Sequence, residues 1–330
     1  VSVARALLAL GAALATPACA APATVQPTDP RSPLVLQRVI DLPGVKGRID
    51  HLAVDLERRR LYVAEYGNGS VEEIDLGAGR VLGRIAGLHE PQGVAYLPKQ
   101  REIVVACGDG SVRFYADADR HEVARIELGD DADNIRIDQR NGHLIVGYGS
   151  GGLATIDPST HQVLARLALP GHPEGFRLIG SRVFVNVPDR GSIISADIDQ
   201  GRVLSSRSTG LNRLNFPMAV ASSGKSFAVA YRLPAKLAII NAATGQPLST
   251  RSTCGDADDL FFAGDDILVV CGAGHVEVVS AGKAVRVETA SGARTGLFVP
   301  ELAALFVAVP SRGSPAAIWT FALKGRSGAK

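Results

Sequence analysis

Residues 48–85 read RIDHLAVDLERRRLYVAEYGNGSVEEIDLGAGRVLGRI. Apolar and β-branched bursts (LAVD, RLYVAEY, SVEEID, GRVLGRI) follow one another across turn-forming runs such as GNGS. Short bursts rich in Val, Ile and Tyr and bounded by Gly-containing turns are strands, so these 38 residues hold four of them. No amphipathic helical pattern of 15 residues occurs past the first 20.

The same unit returns along the chain. Its opening phrase recurs as PQGVAYLP from 91, DADNIRID from 131, HPEGFRLI from 172, NFPMAVAS from 215, DADDLFFA from 256 and ARTGLFVP from 293. One aligned column holds Asp50, Gln92, Asp133, Glu174, Pro217, Asp258 and Thr295, at spacings of 42, 41, 41, 43, 41 and 37. Each phrase is followed by a second burst, such as EIVVACG from 102, HLIVGYG from 143 or DILVVCG from 266, then by a hairpin and a third strand. Seven units of about 41 residues with four strands each specify an all-β fold, a seven-bladed β-propeller over residues 34–323. The seventh unit stops at AIWTFALKG without a fourth strand, while LVLQRVIDL at 34–42 is an orphan shaped like the fourth strands elsewhere. An open blade edge invites aggregation, so residues 34–42 are expected to complete the last blade and close the ring.

Before the repeat, residues 1–20 have a lone early cation, Arg5, an apolar run from Ala6 to Ala15, and Ala18-Cys19-Ala20. This is the pattern of a cleaved secretory signal, and ten apolar residues are too few to span a bilayer. A lipoprotein signal acylated at Cys19 is the alternative. Either reading implies a periplasmic or secreted protein, with a Pro-rich linker at 21–33 and a disordered tail at 324–330. Such a compartment permits disulfides. The repeat register places Cys254 just before the first strand of unit six and Cys271 at the end of its second strand, which makes them the expected pair. Cys107 is left as a small buried residue.

In a propeller the first strand of each blade lines the central channel. The acids of GDDADN from 129 and GDADD from 255 are therefore equivalent corners of units three and six, aimed at one mouth. The mouth set is Asp50, His51, Gln92, Asp133, Asn134, His172, Glu174, Asp258, Asp259 and Arg294. Crowded carboxylates raise one another's pKa unless something positive lies among them. Three readings stand open. The acids are Asx-turn residues; or Asp133, Asn134, Glu174 and Asp258 hold a divalent cation, calcium by their oxygen chemistry; or Arg294, Arg213 or Arg48 neutralises them and the mouth takes a polar or anionic ligand.

Other chemistry lacks its motif. GYGSGG from 147 lies between two strands and opens no helix, so it is a hairpin rather than a dinucleotide site. No HExxH, CxxC or CxxCH occurs, no haem, NAD or PQQ motif is found, and a single Trp does not support quinoprotein-type blade docking. His89, His121, His143, His161 and His275 fall at turns or strand edges and are expected at the surface. Lys and Arg number 35 against 33 Asp and Glu, a net +2 without a basic stripe interleaved with aromatics, so a nucleic-acid partner is not expected. A monomer with no transmembrane segment is expected.

RLYVAEYGNGSVEEID with its DHLAVD lead resembles bacterial exported propellers with YVTN-type repeats, the YncE-like group, and the likeness covers 34–323. The resemblance implies the fold; relatives of this architecture include lactonases, cofactor-bearing dehydrogenase subunits and binding scaffolds. Likeness to metal-dependent gluconolactonase-type propellers implies roles for Glu174, Asn134 and Asp258. Likeness of GRIDHLAVD to phosphogluconolactonase-like propellers implies His51, Glu174 and Arg294. Two functions follow as expectations: a non-catalytic exported propeller binding a small ligand, cation or partner protein at the mouth, or a lactone hydrolase. The hydrolase would use Glu174, His51, Arg294 and Asp133, with or without a divalent cation.

Overall fold

The structure, a computed structural model, describes residues 32–324. The expected signal at 1–20, nearly all of the expected linker at 21–33 and nearly all of the expected tail at 324–330 lie outside the described residues.

Seven four-stranded antiparallel sheets form the blades. Blade one runs from Leu52–Asp55 to Arg80–Ala86, blade two from Pro91–Leu97 to Glu122–Glu127, and blade three from Ala132–Ile137 to Gln162–Ala168. Blade four runs from Phe176–Ile179 to Arg202–Ser208, blade five from Arg213–Val220 to Pro247–Ser252, and blade six from Ala257–Ala263 to Lys283–Glu288. Blade seven joins Thr295–Val299, Ala304–Val309 and Ala317–Leu323 to the chain's first described strand, Leu34–Asp41. That strand pairs antiparallel with Ala317–Leu323, from Leu34 opposite Leu323 to Asp41 opposite Ala317, so the ring closes as the sequence implies.

The core lies between blades rather than within one. Leu61, Val63 and Ile74 of blade one pack against Phe306, Ala308 and Ile318 of blade seven, and Ile40 and Leu42 fill the same seam. Each such Leu, Val, Ile or Phe side chain, fully buried, contributes about 1.5–3 kcal/mol. Fourth strands are mostly exposed, as their polar sequences require. In blades one, four and five the turn between third and fourth strands is an Asx-turn: Asp75 Oδ1 accepts the N–H groups of Gly77 and Ala78, and Asp197 and Asn241 do the same in their blades.

The disulfide joins Cys254 to Cys271 within blade six, with Cα atoms 6.0 Å apart, and Cys107 is free and buried. His275 differs from expectation. It is 7% exposed, because it sits opposite Cys271 in the ladder, beneath the disulfide-bearing strand.

The first strands carry the feature that builds the mouth. Pairing with the second strand shifts register between Pro91 and Val94, Ala132 and Ile135, Asn215 and Met218, and Ala257 and Asp259. The column residues Gln92, Asp133, Pro217 and Asp258 all fall inside these bulges, and a bulge re-aims a side chain off the pleat. In blades one and four, by contrast, Asp50 and Glu174 precede the strand, as the sequence suggests. Adjacent first strands also touch through their backbones: Gly175 N–H donates to the Phe216 carbonyl at 3.1 Å. A Cβ at Gly175 would lie 2.4 Å from that oxygen, which accounts for glycine there.

Candidate functional site: the channel mouth

Six of the seven column residues, Asp50, Asp133, Glu174, Pro217, Asp258 and Thr295, line one cavity of about 420 Å³ including its open mouth. His51, Asn134 and Asp259, one step along each strand, line it too. Two expected members turn away. The Gln92 Nε2 donates to Asp131 Oδ1 at 2.7 Å, and His172 Nδ1 lies 2.6 Å from the Gly149 carbonyl and 3.8 Å from Asp131, so both serve the neighbouring loops instead.

Arginines neutralise part of the acidic ring. Arg48 reaches Asp50 at 2.5 Å and lies over the Tyr66 ring at 4.7 Å. The Asp258 carboxylate is held between Arg232, which donates to Oδ1, and Arg294, whose Nε is 2.5 Å from Oδ2 as an ion pair rather than an aligned hydrogen bond. Arg213, the third cation expected here, is the exposed first residue of its strand and makes no ion pair among the described residues. Arg232 takes the place the sequence reading left unfilled. Its signal was readable: second strands end YG, CG, YG, VP, CG and VP in six units, but Tyr231-Arg232 in the fifth.

None of the Asp50, Asp133, Glu174 and Asp258 carboxylates accepts a backbone N–H among the described residues, so the Asx-turn reading belongs to other acids of the repeat. For the oxygen-ligand set the fit is poor as arranged. Asp258 is committed to two arginines, and Asn134 Oδ1 accepts from Arg136 at 2.8 Å while its Nδ2 donates to Asp133 at 3.2 Å. Among the described residues no three His, Cys, Asp or Glu side chains converge at ligand spacing.

Glu174, partly buried, lines the cavity, and its carboxyl makes no hydrogen bond or ion pair among the described residues. Burial, then the nearby Asp258 and Asp50, lifts its pKa to about 7. Asp133, 6% exposed, is lifted to about 7 by burial and by Glu174, and His51 Nε2 stands 3.7 Å from it. Burial, with Arg136, Arg177 and Arg48 adding to it, holds His51 well below the usual imidazole range, so that ring is neutral. Asp50 is raised well above the carboxylate range by burial, against the pull of Arg48. Asp259 is raised to about 6 by burial although its Oδ2 accepts the Gly296 N–H at 2.9 Å. The mouth thus offers carboxyls that exchange protons near neutrality and donate as well as accept hydrogen bonds.

Below this ring lie Arg136 and Arg177, three residues past Asp133 and Glu174 along the strands, with the Arg136 guanidinium reaching back to Asn134. Both line the same cavity. The sequence reading passed over them, although RID and RLI put a cation at one column of two adjacent units.

No known protein-family model matches the chain, and no curated protein matches it. Among solved structures 1779 chains do match, so the architecture is widespread. One, titled "Crystal Structure of Mitotic Checkpoint Complex", superposes with a TM-score of 0.73 at 16% identity, covering 94% of this chain and 99% of the other. At that identity the likeness carries the fold alone: the chain is a seven-bladed β-propeller, and its activity has to be argued from the mouth.

Proposed function

We propose that this chain is an exported binding propeller of the YVTN-repeat, YncE-like kind, which takes a small polar ligand into its channel mouth. The observation that carries the reading is Glu174, a carboxyl lining a cavity between arginine-bearing walls with no protein partner of its own. A ligand hydroxyl or amine would give this carboxyl the hydrogen-bond partner that the protein does not supply. The leader-like residues 1–20 support export. The test is thermal unfolding of the full chain against a panel of small sugars, sugar acids and amino acids, beside Glu174→Gln. A binder present at about 100 times its dissociation constant adds about 2.7 kcal/mol to wild type. A panel without effect, or an effect that Glu174→Gln leaves whole, defeats the proposal.

A second reading, lactone hydrolysis, is favoured by Asp133 and Glu174 both standing at about 7 in one cavity. One of them would take the proton of a water as its oxygen bonds to the lactone carbonyl carbon. The ring C–O bond then breaks, and the proton passes to the departing alkoxide. Arg48 or Arg294 at the rim would stabilise the oxyanion. Turnover of a lactone panel, lost in Glu174→Gln, would establish this reading; a panel left unhydrolysed removes it.

A further inference from the structure

At the equivalent ladder position below the acidic column, the first strands present Ala53, Ala95, Arg136, Arg177, Ala219, Phe261 and Leu297. This layer of the ring therefore holds two cations on adjacent blades and no acid. Arg136 donates to the carbonyl of Ile135 at 2.7 Å and Arg177 to that of Phe176 at 2.8 Å, while Arg136 donates in addition to Asn134 Oδ1 at 2.8 Å. Arg136 also lies over the Phe176 ring at 5.7 Å, which fixes its plane between the two strands. Neither side chain has a carboxylate within 4.0 Å among the described residues, and the buried Nε of Arg136 has no hydrogen-bond partner. Elsewhere at the mouth every arginine has an acid: Arg48 has Asp50, and Arg232 and Arg294 share Asp258. Two like charges set side by side in a confined space, with donors left over, are costly to a fold that gains nothing from them. Guanidinium donors are shaped for planar, bidentate recognition of carboxylate and phosphate.

We propose that Arg136 and Arg177 form the floor of the ligand site and bind an oxyanion, the carboxylate or phosphate group of a small ligand whose neutral or donor end reaches Glu174. This inference rests on the reading of the mouth as a ligand site and specifies its ligand class. A molecule with an anionic head and a hydroxylated or amino tail fits this order of charges, with cations below and proton-bearing carboxyls above.

The test uses the full chain at constant ionic strength, titrated in separate arms with inorganic phosphate, with succinate and with chloride as control, and followed by thermal unfolding and calorimetry. The probes include Arg136→Leu, Arg177→Leu and Arg177→Lys. Removing one of two crowded charges should leave the leucine variants folded with an unchanged or higher melting temperature. The expected result is an oxyanion-specific rise in wild type, with affinity at least tenfold weaker in either leucine variant and partly restored by lysine. The stronger arm identifies the head as phosphate or carboxylate. An oxyanion rise that both leucine variants keep places the anion elsewhere and overturns the inference. No oxyanion effect, with a neutral sugar still bound through Glu174, overturns the inference and spares the reading of the mouth. No binding by any probe removes both.

Discussion

The Nε of Arg294, from blade seven, lies 2.5 Å from Oδ2 of Asp258 in blade six. Because Arg232 of blade five grips the other oxygen of the same carboxylate, one acid ties three consecutive blades at the rim of the channel. Taking one partner out of such a partly buried cluster leaves its mates charged and unpaired, and that typically costs about 3 kcal/mol or more. Asp258→Ala is therefore expected to lower stability by about that amount in urea unfolding. A midpoint within error of wild type would mean that solvent already screens the tie.

The same pairing bears on the calcium expectation. With Asp258 satisfied by two arginines and Asn134 by a third, the mouth has its positive charge built in, so chelation should leave the melting temperature of the full chain unchanged. Calcium, magnesium or zinc added back should leave it unchanged too. A calcium-specific rise, abolished in Asp258→Ala, would show instead that the ion displaces the arginines.

Stability should depend on pH in a direction opposite to that of most paired carboxylates. Asp133, Glu174 and Glu65 are raised to about 7 and Asp259 to about 6, in each case chiefly by burial. An acid whose folded pKa is raised stabilises the fold fully below its unfolded value, near 4, and this is lost as pH climbs through the folded value. His51, held low, opposes this below about 6.5, where the unfolded chain takes up a proton that the folded ring refuses. Between pH 6.5 and 8 that opposition fades, and the melting temperature should fall. Glu65 supplies an internal check away from the mouth: its Oε2 accepts from Ser70 at 2.5 Å, while its buried Oε1 has no partner. Glu65→Gln should flatten the slope, and a melting temperature that rises from pH 6.5 to 8 would contradict the burial-driven shifts.

How far the site was legible in the sequence follows from what a repeat encodes. Equivalent positions share a backbone environment, so the column from Asp50 to Thr295 marked the channel wall, and the missing strand of the seventh unit pointed to residues 34–42. What each side chain does once there depends on partners from other blades. Gln92 belongs to the column by spacing yet is drawn to Asp131, and His172 follows it. Arg232 and Arg213 stand on neighbouring strands of one blade, and only the geometry of the hairpin decides which of them meets Asp258. Arg136 and Arg177 were visible as a column but unremarkable there, since a strand arginine is ordinarily solvated; their meaning comes from the enclosure and from the lack of acids in their layer.

Closure of the ring gives a prediction with its own reporter. Trp319, the sole tryptophan, sits in Ala317–Leu323 with Val307 on one side and Val39 of the closing strand on the other. Leu34 and Ile40 of that strand are 0% and 1% exposed, and they fill seams on both sides of blade seven, against blade six and blade one. Deleting residues 34–41 removes this packing and strips the ladder partner from Trp319, leaving an edge of unpaired backbone groups. The variant should show red-shifted tryptophan emission, a broadened and less cooperative melt, and association in light scattering. Supplying a synthetic peptide of residues 34–41 should reverse the emission shift by adding the strand back in trans. A deletion variant that stays monomeric, with wild-type emission and an unchanged melt, would mean that three strands suffice for the seventh blade and that the ring is closed by blade-to-blade packing alone.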